Sequence, residues 1–92
     1  MPTCTAKIDG LSLMVQRLLD AELLLDTEGV VLLAETRAAR LSLEEGDAAA
    51  ARQHVEQVAR FVEGLMATGA LERADGRAVL ETARRILAGD DH

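Results

Sequence analysis

Aromatic residues are almost absent from the sequence, which contains Phe61 but no tryptophan or tyrosine. Such a chain offers at most one ring on which nucleic-acid bases could stack. Basic residues are in the minority as well, because 10 Lys and Arg stand against 16 Asp and Glu, for a formal net charge of −6. Affinity for phosphates comes from Lys and Arg, so this balance opposes it. We therefore expect no nucleic-acid binding, whereas an acidic surface remains compatible with a basic protein partner.

Cysteine and long apolar runs are also scarce. Cys4 is the only cysteine, so we expect no disulfide partner within the chain and no zinc site built from several thiolates. No segment reaches the roughly 18 uninterrupted apolar residues of a membrane span. The first ten residues, MPTCTAKIDG, lack the apolar core of a signal peptide. These absences favour a cytoplasmic protein.

The apolar residues that are present favour helices. They make up 49% of the chain and are mostly leucine, alanine and valine, and the only proline is Pro2. Alanine and leucine are strong helix formers, which predicts an all-α fold. We expect an antiparallel bundle of four helices, or three long helices and a shorter first one. The expected organisation is an irregular lead over residues 1–8, one bundle domain over residues 9–89 and an acidic tail over residues 90–92.

A tight helical hairpin is predicted over residues 43–65, LEEGDAAAARQHVEQVARFVEGL. Gly46 supplies a left-handed stop for one helix, and the side-chain oxygen of Asp47 caps the next. Two helices joined by so short a turn must lie antiparallel. The third helix, over residues 48–66, has an inward seam with 4-3-4-3 spacing. Its members are Ala51, Val55, Val58, Val62 and Leu65.

Three further helices are predicted around this hairpin. The first begins at Asp9 and continues to about residue 24, and the triplet Leu23-Leu24-Leu25 suggests burial on more than one side. The second covers residues 28–45, and the fourth follows Gly69. The residues expected to point inward from the second helix are Val30, Leu33, Ala34, Ala38 and Leu41.

Apolar residues on the first two helices exceed what one core seam requires. Leu32, Ala39 and Leu43 form a second row on another face of the second helix. One interpretation is a contact face for a second copy or another protein. The other is a central helix that is buried on two sides within one monomer. The candidate interaction face consists of Leu13, Leu23, Leu24, Leu32, Ala39 and Leu43.

His54 is the only histidine within a predicted helix, and Glu35 lies across the hairpin from it. The two could form a metal or acid–base site. A divalent metal normally requires three or four ligands, and no His-x-x-x-His or Glu-x-x-His spacing is present. A packed, hydrogen-bonded boundary histidine is therefore the preferred interpretation. No nucleophile–base pair and no glycine-rich phosphate loop stands out, so we predict no enzyme, no catalytic residues and no cofactor.

Residues 32–65 resemble the central hairpin of the FIMAH-type helical domain, which occurs in bacterial proteins associated with the cell surface. The last helix, ADGRAVLETARRIL, preceded by Gly69-Ala70-Leu71, is similar to the last helix of that family. The resemblance covers about two thirds of the chain and implies a small accessory module without catalytic residues. It is carried by Leu32 to Ala34, Leu43, Gly46-Asp47, Ala50-Ala51, His54-Val55 and Phe61-Val62.

Taken together, these features predict a non-enzymatic module for protein–protein interaction that associates with itself as a homo-oligomer. The alternative is a small acidic regulator that sequesters a basic protein partner, in the manner of an antitoxin or anti-activator. A ligand- or metal-binding bundle centred on His54 is the third possibility. The sequence does not name the partner.

Overall fold

The computed structural model describes the backbone of residues 3–88 and the side chains of residues 6–88. The acidic tail over residues 90–92 and the side chain of Cys4 lie outside the described part. Within it the chain forms four helices and no strand, which confirms the predicted all-α bundle. The helices are α1 (Thr3–Asp20), α2 (Asp26–Glu44), α3 (Ala48–Thr68) and α4 (Arg73–Leu87).

The four helices form a square in which each helix packs against two others. Each contacts its neighbour in the sequence, and α4 returns to contact α1. The diagonal pairs α1–α3 and α2–α4 have no Cα atoms within 8 Å of each other. Short turns between successive helices make neighbours antiparallel. One apolar core therefore runs down the middle of a particle of 35 × 21 × 18 Å.

Helix α1 begins well before the predicted start at Asp9. Ile8 is only 1% exposed and continues the apolar spacing that Leu11 and Val15 define, so the helix extends back to Thr3. Asp9 does not cap the helix; its carboxylate accepts a hydrogen bond from Arg40 of α2 at 2.9 Å. The expectation of an irregular lead over residues 1–8 is therefore wrong from Thr3 onward.

Helix α1 also ends earlier than predicted, at Asp20. Glu22 adopts a left-handed conformation with a φ of 61°, and the N–H of Leu23 donates to the carbonyl of Leu18 at 2.9 Å. This closure buries Leu24 and leaves Leu23 and Leu25 exposed by 40% and 67%. The expected burial of the whole leucine triplet is thus wrong, because the triplet lies in a turn and not in a helix.

The predicted hairpin between α2 and α3 is confirmed. Gly46 has a φ of 83°, and the Asp47 side chain accepts a hydrogen bond from the N–H of Ala50 at 3.0 Å. Both features satisfy backbone groups that the helix ends would otherwise leave unpaired. All five residues of the predicted α3 seam are buried.

Helix α2 is oriented so that most of the row predicted to face inward faces outward, although Leu33 of that row is half-buried and packs against the core. Leu32 and Ala39 are at most 1% exposed, whereas Val30 and Leu41 are 63% and 51% exposed. The buried row also contains Thr36, whose hydroxyl donates to the carbonyl of Leu33 at 2.9 Å and lies 3.3 Å from the Ser12 hydroxyl of α1. The physical reason lies in the small residues of this row, Gly29 and Ala39, which let neighbouring helices approach closely.

Candidate functional site

The most distinctive surface of the described structure is an apolar face on the outer side of α2. We call it the α2 outer face and define it by five residues. Because successive helical residues are about 100° apart, all five fall within an arc of about 100°. Three of them are large side chains exposed by 44–63%. The α2 outer face consists of Val30, Val31, Ala34, Ala38 and Leu41.

Most of the residues predicted to form an interaction face are instead part of the core. Leu24, Leu32 and Ala39 are at most 5% exposed, and Leu43 is half-buried and packed against the core cluster. Leu24, Leu32 and Ala39 are buried within one monomer, so the prediction that they contact a partner is wrong, whereas a partner contact of Leu43 stays a prediction. Leu13 and Leu23 are exposed, but they lie on α1 and in the following turn.

The sequence contained a signal for the correct orientation of α2. Gly29, Thr36 and Ala39 recur at helical spacing along one row, and small residues in a row allow close packing of helices. The prediction from the sequence instead places four members of the α2 outer face inward, together with Leu33; these four are Val30, Ala34, Ala38 and Leu41. A row rich in small residues was therefore the better indicator of burial in this helix.

Polar and charged residues lie around the α2 outer face. Arg37 lies beside one edge, and farther round the helix, on the α1 side, Arg40 is held by Asp9 of α1 at 2.9 Å and by Glu44 at 3.3 Å. Thr27 and Glu45, both exposed, stand at the two ends of the face. An apolar strip with a polar rim is the usual composition of a protein-binding surface.

His54 and Glu35 meet as the hairpin predicts. The Nδ1 atom of His54 lies 2.8 Å from Oε1 of Glu35, and the two side chains are 36% and 31% exposed. The pair links α2 to α3 at the edge of the core. Among the residues that the structure describes, no three His, Cys, Asp or Glu side chains group closely enough to hold a metal ion. Within that part of the chain the pair therefore supplies two ligands at most.

We expect the His54–Glu35 pair to stabilise the fold only slightly, because partly exposed ionic hydrogen bonds contribute little. A double-mutant cycle of His54→Ala and Glu35→Ala, followed by urea unfolding, should give a coupling energy of about 0.5 kcal/mol. Gln53→Ala, at the neighbouring exposed position, is the control and should show no coupling with Glu35→Ala. A coupling energy of zero for the His54 pair would contradict the hydrogen bond.

A basic hollow of about 220 Å³ lies along α4 beside the end of α3. Arg73, Arg77 and Arg84 line it, together with Glu81. Arg84 also contacts Glu63 of α3 at 3.4 Å. Acidic side chains therefore offset much of its positive charge, and the hollow does not define a site for an anion.

Comparison with protein-family models, with curated proteins and with solved structures finds no match to this chain. A function for this chain can therefore be proposed only from its fold and its surface. In the described part, no helix has the length and apolar character needed to cross a membrane.

Proposed function

We propose that this protein is a non-enzymatic module for protein–protein interaction that associates with a second copy of itself through the α2 outer face. The observation that carries the proposal is the exposure of Val30, Val31 and Leu41 on one side of a helix whose other side is fully packed. Contiguous apolar surface of this kind, rimmed by polar residues, marks interaction sites. Water leaves these side chains when two such faces meet, which favours association.

The size of the α2 outer face favours a weak and reversible pair. The face extends over twelve residues, from Val30 to Leu41, and its two ends lie about 16 Å apart along the helix. A stable interface commonly buries about 800 Å² on each partner, roughly one seventh of this protein's 5698 Å² surface. A single helical face of this length supplies less. We therefore expect a monomer at low concentration and a dimer at high concentration.

Replacement of Leu41 by serine should weaken this association by at least about tenfold, because each copy loses an apolar side chain from the interface. Leu13→Ser is a matched control, since Leu13 is the same residue type with nearly the same exposure, 52% against 51%, on α1. Light scattering after size exclusion, between about 10 µM and about 1 mM protein, would measure the dimer fraction in this range of affinity.

Two outcomes would contradict the proposal. One is a wild-type protein that stays at 9.9 kDa, the mass of one chain, at every concentration. The other is an equal loss of dimer in Leu13→Ser and Leu41→Ser, which would place the interface elsewhere.

The charge distribution supports a second candidate, a small regulator that captures a basic protein. Residues 3–47 contain nine acidic and four basic residues, whereas residues 48–88 contain five and six. The α1–α2 half is therefore the acidic half of the bundle. If charge drives the capture of a basic protein, the affinity for that protein falls as the salt concentration rises. Self-association of two acidic chains should instead strengthen with salt, because salt screens their mutual repulsion.

Three other expectations remain predictions. The resemblance to the FIMAH-type domain is in keeping with a small accessory module. A cytoplasmic location rests on the sequence alone. A ligand- or metal-binding role centred on His54 has the weakest support, because only Glu35 is placed beside that ring.

A further inference from the structure

We infer that the two copies pair antiparallel through α2, with a two-fold axis level with position 36 of both helices. This inference rests on the self-association proposed above and specifies its geometry. It predicts which residues of the two copies face each other. It comes from the spacing, side-chain size and charge of the outward residues of α2.

The outward residues of α2 have a spacing that reads identically from either end. Thr27, at one end of the α2 outer face, and Glu45, at the other, extend its central stripe. The intervals between successive members are 4-3-4-3-4, which is the repeat of a coiled-coil seam. Helices with this repeat pack nearly in line, at about 20°. The stripe consists of Thr27, Val31, Ala34, Ala38, Leu41 and Glu45.

Because the spacing is symmetric about position 36, an inverted second copy places every member opposite another member. Val31 then faces Leu41 of the second copy, and Ala34 faces its Ala38. The two alanine layers lie at the centre and let the helices approach closely. The larger side chains meet on either side of them. A two-fold interface of this kind uses the same surface on both copies.

Charge at the ends of the stripe favours the antiparallel over the parallel arrangement. In a parallel pair, Glu45 would face Glu45 of the second copy across the seam, and like charges placed directly opposite repel. In the antiparallel pair, Glu45 faces Thr27, whose hydroxyl can donate to the carboxylate.

Arg37 and Glu35 are the charged residues nearest to the proposed axis, one position to either side of position 36 and on opposite edges of the stripe, and each approaches its own copy there. The Glu35 carboxylate is held toward α3, 2.8 Å from Nδ1 of His54. Arg37 is exposed. Its long side chain can therefore turn into water, where charge repulsion is weak. The repulsion between two Arg37 side chains is thus smaller than that between two Glu45 carboxylates held in the seam.

Disulfide trapping tests this geometry on the full chain. The native cysteine is first removed by Cys4→Ser, and Val31→Cys and Leu41→Cys are made separately in that background. Both positions are exposed, so the fold should be retained, which circular dichroism would confirm. A disulfide requires Cα atoms within about 7 Å. In the antiparallel pair, like positions are offset by about 15 Å along the helix, whereas position 31 faces position 41.

Each single variant, oxidised alone, should therefore form little covalent dimer. An equal mixture of the two should form the Val31→Cys/Leu41→Cys heterodimer at least about tenfold faster, provided that it is oxidised at a concentration where light scattering detects dimer. Rapid homodimer formation by each single variant would show a parallel pair and overturn this inference alone. A non-covalent dimer that forms no disulfide in any of these samples would place the interface elsewhere, and this result would also overturn the inference of an antiparallel pair. A protein that is monomeric at all concentrations would instead overturn the proposed self-association.

Discussion

Leu32→Ala is expected to lower the free energy of unfolding by about 3 kcal/mol, because it removes a fully buried leucine and leaves a cavity in the core. Leu32 is 1% exposed and lies on the side of α2 that faces the other helices. The matched control is Leu41→Ala on the same helix. Leu41 is 51% exposed, and alanine is at least as good a helix former as leucine, so that change should cost less than about 0.5 kcal/mol.

Urea unfolding monitored by circular dichroism would measure both variants. The protein concentration should be low enough for the monomer to predominate, because association stabilises the folded state and would add to the effect of Leu41→Ala. Similar losses for the two variants would contradict the orientation of α2. A larger loss for Leu41→Ala than for Leu32→Ala would restore the orientation expected from the sequence.

Gly29→Val is expected to destabilise the protein by about 2 kcal/mol, because overpacking forces neighbouring atoms to move. Gly29 is buried in the first half of α2, and a Cβ atom there would collide with the side chain of Leu19 from α1. Gly64, in the middle of α3, has open space where its Cβ would be. Gly64→Val is therefore the matched control and should be neutral or stabilising by up to about 0.5 kcal/mol, since valine is a better helix former than glycine.

The collision with Leu19 can be tested separately from other effects of valine. Leu19→Ala should be costly in the wild type but much less so in the Gly29→Val background, where it makes room for the new side chain. Thermal or urea unfolding of the four combinations would give this coupling energy, which we expect to exceed about 1 kcal/mol. If the losses of unfolding free energy caused by Leu19→Ala and Gly29→Val were strictly additive, Leu19 would not pack on Gly29.

Features encoded by neighbouring residues could be predicted from the sequence. The turn at Gly46 and Asp47 was recognised because each residue performs one local task, a left-handed stop and a side-chain cap. The 4-3-4-3 seam of α3 was recognised because that helix has only one apolar row. His54 and Glu35 could be paired because a tight antiparallel hairpin leaves few partners within reach.

Features that depend on neighbouring helices could not be predicted in the same way. Helix α2 has two apolar rows, and which of them is buried depends on contacts with α1 and α3. The sequence pattern of α2 alone therefore does not identify its outer face. The end of α1 has no glycine signal, because Glu22 adopts the left-handed conformation that closes the helix. The start of α1 is extended by a single buried residue, Ile8, which continues its apolar stripe.

The square arrangement of the helices determines what a self-associated pair would present to third molecules. Because α2 and α4 lie on opposite corners of the square, pairing through α2 leaves both α4 helices at the outer extremes. Four of the ten basic residues lie on α4, whereas the paired centre consists of the acidic α1–α2 halves. The assembly would therefore be bivalent, with two identical arginine-rich edges facing in opposite directions.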